Sequence, residues 1–357
     1  MSWIGLCGQG RAWTCPRRVA ATAPERHVLM PRGSIMIETR VPPEERPQTL
    51  LYYRREHPWP GTISVQAMPG GGIILVLDQG GEVFHTVLER RNDSRVDLLR
   101  VTFSWDSEAR RGWLTVEQPG TDTVDTTETP PPPPFLMEDV FTLCHRPQLV
   151  TRDPDVIFHA VSEAVEPVGP MPGLVAQVPV LTPQGYRRAG DLRLGDTVTT
   201  RNAGVVPVLA RVTRRMPALG SFRPVRLRAP YFGLTRDLVV APYQRMVIGG
   251  SEVEYIFGRQ AVLIPALALV NGFAAVYEEG HDLVRYHQLL LPGHEPVISA
   301  EAELETLYVG RLRRRREFLQ RTLLADVPPG LIPEHARAGL KILRPFEAIT
   351  LAEARAA

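Results

Sequence analysis

The sequence predicts an all-β chain of two domains: a jelly-roll-like β-sandwich, then a second all-β domain, with short helices only toward the C-terminus. Three observations predict it. Apolar and polar residues alternate with period two through much of the chain. Pro and Gly clusters separate the alternating runs at short intervals. A dense Pro/Gly stretch, "EPVGPMPG" at 166–173, divides the strand-rich sequence in two.

Composition agrees with that class. The 357 residues, 44% hydrophobic and 22% charged, are those of a globular chain with room for two cores. A net charge of +2 points to neither a nucleic-acid partner nor an anionic surface. Lys341 is the only lysine, so arginine carries nearly all the positive charge. The three cysteines, Cys7, Cys15 and Cys144, form neither a disulfide framework nor a zinc spacing. No metal or cofactor is expected. No apolar run approaches the ~20 residues of a membrane span, and residues 261–270 read as core. No secretory signal is recognisable, so a soluble protein of unassigned compartment is expected, cytoplasmic or exported by another route.

Residues 1–33, rich in Arg, Cys and Trp, show no periodicity. They read as a disordered or mis-assigned extension, with the mature chain starting at Met30 or Met36. Residues 34–168 read as the sandwich. "TLLYYRRE", "TISVQAM", "GIILVLDQGG" and "EVFHTVLERR" are strands. Leu99, Val101, Phe103 and Trp105 alternate with polar residues, then return through "DSEARRG" as a hairpin. The run Pro130 to Pro134 is an extended polyproline connector, and "VIFHAVSEAV" is a further strand. Residues 169–310 are shorter strands, with Val225, Leu227 and Ala229 alternating with arginines. Residues 311–357 read as a helical tail. Leu312, Leu319 and Leu323 fall at helical spacing, the arginine run at 313–316 forms a solvated face, and Pro345 suits the first turn of a last helix.

The second domain carries a series of motifs in order: "TPQG" at 182–185; Leu192, Gly195 and Asp196, followed by Val198 and Thr200; "TRDLVVAPYQRMVI"; "VLIPALALVNG"; "RYHQLLLPGHEPVISA"; and Glu305, Leu307 and Gly310 of "ETLYVG". From about Gly173 to Gly310 this series resembles the Hint (hedgehog/intein) family, in particular bacterial Hint-domain proteins. The resemblance implies a self-directed chemistry. A first-position Cys or Ser attacks the preceding peptide carbonyl, donors hold the oxyanion, and a hydroxyl-x-x-His turn supplies donor and proton. Here the first position falls at Gly173, the turn hydroxyl at Ala241 and the turn histidine at Gln244. A further expected histidine falls at Gln288 or, one residue earlier, at His287. His287 and His294 are the remaining polar groups of the site. The three vacant positions are expected to converge in space. The "LLRVTFSWDSEARRGWLTVE" hairpin resembles laminin-G and concanavalin-like jelly rolls, which implies a glycan- or protein-binding module.

Other groups are weighed as structural. Cys144-His145 reads as a buried cysteine rather than a nucleophile–base pair. His281, His287 and His294 read as dispersed structural histidines rather than a metal set. Asn271-Gly272 reads as a turn rather than a cleavage site, and residues 70–72 as a strand turn rather than a phosphate loop. The function expected is that of a Hint-type pseudoenzyme, a scaffold or interaction module with an unidentified protein or glycan partner. Residual autoproteolysis near Gly173, and carbohydrate binding through the sandwich, remain open as alternatives.

Overall fold

The computed structural model describes residues 2–8, 10–19, 27–41, 46–90, 97–336 and 340–356. The chain forms two compact units, Met1–Gly169 and Pro170–Ala357.

In the first unit the elements are β1 (Trp3–Gly8), β2 (Arg11–Thr14), β3 (Leu29–Met30), β4 (Arg32–Val41), β5 (Gln48–Arg55), β6 (Gly61–Ala67), β7 (Ile73–Gln79), β8 (Glu82–Leu88), β9 (Asp97–Asp106), β10 (Arg111–Glu117), β11 (Val124–Thr129), β12 (Phe135–Leu136), α1 (Met137–His145), β13 (Val150–Thr151) and β14 (Val156–Ser162). A seven-stranded sheet, β11-β10-β9-β4-β14-β1-β2, faces a five-stranded sheet, β13-β5-β6-β7-β8, and β12 pairs with β3. The alternation read in the sequence supplies the filling. Val101, Phe103 and Trp105 of the larger sheet pack with Tyr53, Ile63 and Leu75 of the smaller. Trp105 also satisfies its indole N–H on the Met30 carbonyl at 3.0 Å. Across the predicted hairpin, Phe103 lies opposite Leu114 and Val101 opposite Val116.

The disordered extension expected over residues 1–33 is corrected here. β1 lies between β14 and β2, with Leu6 opposite Ala160 and Cys7 opposite His159. Trp3, Ile4 and Leu6 are fully buried. Residues 1, 9 and 20–26 of that expectation lie outside the described residues. The glycines that broke the pattern are themselves packing requirements. A Cβ on Gly5 would come 2.8 Å from both Val140 Cγ1 and Cys144 Sγ, and one on Gly8 would come 2.5 Å from Phe158 Cβ.

The second unit contains β15 (Leu174–Val175), β16 (Pro179–Thr182), β17 (Gly185–Arg188), β18 (Thr197–Thr200), β19 (Gly204–Pro207), β20 (Ala210–Pro217), β21 (Val225–Leu227), β22 (Leu238–Val240), β23 (Arg245–Gly249), α2 (Ser251–Phe257), β24 (Ala261–Pro265), β25 (Ala275–Tyr277), β26 (Leu283–Leu290), β27 (Val297–Ser299), β28 (Ala302–Leu304), α3 (Arg316–Leu319), β29 (Lys341–Ile342) and α4 (Pro345–Ala356). Two sheets, β20-β26-β15-β22-β21-β25 and β19-β18-β27-β28-β23-β24-β29, enclose its core, and β16-β17 is a separate hairpin. Asn271 makes the predicted turn: its side-chain oxygen accepts from the backbone N–H groups of Phe273, Ala274 and Ala275.

The tail is less helical than expected. Leu312 begins a 3-10 turn, α3 is one turn long, and only α4 is a sustained helix. Leu312, Leu319 and Leu324 are buried with Leu307, Val309 and Ile332 in a satellite core, while Leu323 is only partly buried. These leucines enter that core from successive turns of an irregular segment, so their spacing imitates a helix. In the arginine run, Arg313 and Arg314 pair with Glu334. No helix among the described residues is long and apolar enough to cross a membrane.

Candidate functional site

β15 is only two residues long, yet it sits centrally in its sheet. Leu174 lies opposite Val240 of β22 on one side and His287 of β26 on the other. The residue before it, Gly173, accepts a backbone hydrogen bond from Ala241 at 2.7 Å. Ala241 opens the turn between β22 and β23, which Gln244 closes by donating its N–H to the Ala241 carbonyl at 3.0 Å. Two further backbone bonds, Ala266 to Gln244 at 2.9 Å and Leu267 to Pro242 at 2.8 Å, hold the turn from below. Pro242 fixes one φ within it. Three positions read from the sequence, Gly173, Ala241 and Gln244, therefore lie together, although the last two are some seventy residues along the chain from the first.

The Gln244 side chain occupies the space beside Gly173. A Cβ on Gly173 would lie 3.0 Å from Gln244 Cβ and 3.1 Å from Gln244 Cδ, with the side-chain oxygen closer still. Gly173 is not in the left-handed region, so sterics at Gln244, not backbone strain, disfavour a side chain there. Gln244 is held in place by its own polar atoms. Its Nε2 donates to the Glu305 carbonyl at 2.9 Å and to the Arg245 carbonyl at 3.0 Å. Its Oε1 accepts from Gln288 Nε2 at 2.8 Å, and Gln288 Nε2 also donates to the Glu305 carbonyl at 3.1 Å. Both glutamines are buried. Gln288 Oε1 has no hydrogen-bond partner among the described residues.

Between the two sequence alternatives, Gln288 is the residue that reaches Gln244. Adjacent residues of a strand point to opposite faces, and His287 is turned the other way. Its Nδ1 lies 3.1 Å from Arg211 Nη1 and 3.0 Å from Thr213 Oγ1. Arginine can only donate, so Nδ1 accepts and the ring proton sits on Nε2. That nitrogen is buried with no partner among the described residues. Burial first, then the Arg211 and Arg285 guanidinium groups, push the ring pKa down to about 4, so His287 is neutral at neutral pH. His294 lies behind the glutamine pair. Its Nε2 is 3.3 Å from Glu305 Oε1, while Arg245 binds both Glu305 oxygens at 3.0 and 3.1 Å. The His294 ring packs on Tyr308 and His335. The Glu305 backbone thus holds the glutamines and its carboxylate holds Arg245. The residue type at 305 carries no sign of the first role, because the acceptor is a main-chain carbonyl.

The arrangement contains hydrogen-bond donors but no nucleophile at Gly173, and neither primary amide takes up a proton near neutral pH. Among the described residues no group of three or more His, Cys, Asp or Glu could hold a metal ion.

The second unit carries a Hint domain by its match to a family model. Residues 172–311 match the family model described as the Hint domain. No curated protein matches the chain. Among solved structures, the CBM40 module of the Ruminococcus gnavus IT-sialidase is similar at 14% identity, with 38% of this chain and 77% of that chain covered and a TM-score of 0.26. The LG1-3 region of the laminin alpha2 chain is similar at 9% identity, covering 87% of this chain and 57% of that chain, with a TM-score of 0.25. The binding domain of botulinum neurotoxin DC, solved in complex with SialylT, is similar at 8% identity, covering 86% and 75%, with a TM-score of 0.25. At these scores the three likenesses carry no argument about what this chain binds.

Proposed function

We propose that the Hint domain of this chain does not cut itself and serves as a structural or interaction module, with the sandwich contributing recognition of a protein or glycan partner. One observation carries the reading. The buried, hydrogen-bonded Gln244 side chain fills the space that a nucleophile's side chain at Gly173 would need. Self-cleavage requires an activated nucleophile and a proton donor for the departing amine. Gly173 offers no nucleophilic side chain, and the Gln244 and Gln288 amides supply no usable base or acid. His287 is neutral and faces Arg211 and Thr213, on the far side of β26 from Gln288.

The test is the intact mass of the full chain after incubation with thiol or hydroxylamine at mildly alkaline pH. The expected result is an unchanged mass. Fragments ending near Pro172 would overturn the proposal in favour of residual autoproteolysis at Gly173.

A further inference from the structure

We propose that Cys7 and Cys144 form an oxidisable pair in the first unit: Cys7 reacts with a hydroperoxide and Cys144 resolves the product as an intramolecular disulfide. The two residues lie 137 positions apart in sequence, and the fold brings them to one face of one sheet.

Four contacts carry the argument. Cys144 Sγ lies 2.8 Å from where a Cβ on Gly5 would be, so the sulfur rests on β1 where only a glycine gives it room. Cys7 is the next residue on that face of β1, one two-residue step or about 7 Å along the strand. Directly opposite Cys7 is His159, whose Nε2 donates to the Leu143 carbonyl at 2.9 Å. This bond ties the last turn of α1, which carries Cys144, to the rung that carries Cys7. Arg152 Nη1 then reaches both Cys7 Sγ at 3.6 Å and His159 Nδ1 at 3.3 Å, placing a guanidinium against the Cys7 sulfur. Cys7 is partly exposed and Cys144 is buried. Burial first, then the nearby Cys7, push the Cys144 thiol up. The accessible sulfur beside a cation is thus the attacking group, and the protonated, shielded sulfur is the resolving one. Cys15, the third cysteine, packs in the core between the sheets.

The chemistry balances. The Cys7 thiolate attacks the peroxide, forming an S–O bond and breaking the O–O bond; the departing hydroxide or alkoxide takes a proton. Cys144 sulfur then attacks the Cys7 sulfenic acid. An S–S bond forms, the S–O bond breaks, and hydroxide leaves with the Cys144 proton as water. Two sulfurs lose one electron each, and the peroxide takes up both. Final closure needs the Cα atoms within about 4.4–6.8 Å.

The experiment treats the full chain with hydrogen peroxide and maps peptides without reduction. The expected product lacks two hydrogens, joins the Cys7 peptide to the Cys144 peptide, leaves Cys15 free, and reverts with dithiothreitol. In Cys144→Ser, Cys7 should accumulate as a sulfenic acid trapped by dimedone. Arg152→Gln should slow Cys7 oxidation by about tenfold, while Arg152→Lys keeps most of the rate. Absence of the Cys7–Cys144 peptide from the unsubstituted folded chain, whether Cys7 is inert, over-oxidised or joined to Cys15, overturns the pair. Equal rates with Arg152→Gln overturn the role of the guanidinium.

Discussion

Gln288 donates its side-chain N–H to Gln244 Oε1 at 2.8 Å, and both side chains also donate to one carbonyl, that of Glu305. This clasp joins β26 to the turn that faces Gly173. It makes the bare position at 173 and the amide at 244 mutually dependent: the side chain of one occupies the space the other lacks.

A side chain at 173 should therefore be costly only while Gln244 is present. Gly173→Ala is expected to destabilise the second unit by about 1–3 kcal/mol through overpacking. Adding Gln244→Ala should make the penalty of Gly173→Ala smaller, with a coupling on the order of 0.5–3 kcal/mol in a double-mutant cycle. Denaturant unfolding of the four proteins measures it, and additive effects would show that the two positions do not share space. Installing a nucleophile follows the same logic. Gly173→Cys should be tolerated together with Gln244→His only if the new side chains re-pack against the Glu305 carbonyl.

The first strand should be indispensable. Trp3 is fully buried in β1. Trp3→Ala is expected to cost about 3–5 kcal/mol, and chains begun at Met30 or Met36 should lose cooperative unfolding of the first unit, because β14 loses a neighbour. Calorimetry of each protein checks this. An unchanged transition in the Met36 chain would return residues 1–33 to the status of an appendage.

Acid should weaken both units in the same window. His287 and His159 are each held at a pKa of about 4 by burial, below the ordinary histidine value of 6.5. Between those values the unfolded chain binds more protons than the folded one, so stability rises with pH there. The contribution is complete above about pH 6.5 and is lost as pH falls toward 4. His287→Gln should flatten this slope for the second unit while leaving the first unit's slope intact. Unfolding midpoints followed across that range give the answer, and equal slopes for variant and parent would remove His287 from the account.

Helix α1 is anchored by charge as well as by packing. Asp139 accepts from Arg55 at 2.6 Å, from Tyr53 at 3.1 Å and from the Leu136 N–H at 2.8 Å. Asp139→Ala leaves the Arg55 guanidinium buried without its carboxylate and should cost about 3–5 kcal/mol. Replacing both residues, Asp139→Ala with Arg55→Met, should recover part of that loss. Thermal unfolding decides it, and a double variant weaker than the single would show that Arg55 stabilises more through Trp59 than it costs as an unpaired charge.

Period-two alternation was enough to fix the strand class, because in a half-buried sheet the chemical pattern and the geometric period coincide. Leu99 through Trp105 and Val225 through Leu227 show this directly. The same reasoning failed for β1, where Gly5 and Gly8 interrupt the alternation because neighbouring atoms leave no room for a side chain, and for the leucines after Gly310, whose spacing imitates a helix. The chemical character of the site was also legible: the sequence alone specifies glycine, alanine and glutamine at 173, 241 and 244. Only the tertiary structure decided that these residues touch, that Gln288 rather than His287 completes them, and that a backbone carbonyl at Glu305 binds the pair. Contacts between distant segments depend on how strands align across a sheet and which face each residue presents, and a main-chain acceptor has no identity in the sequence.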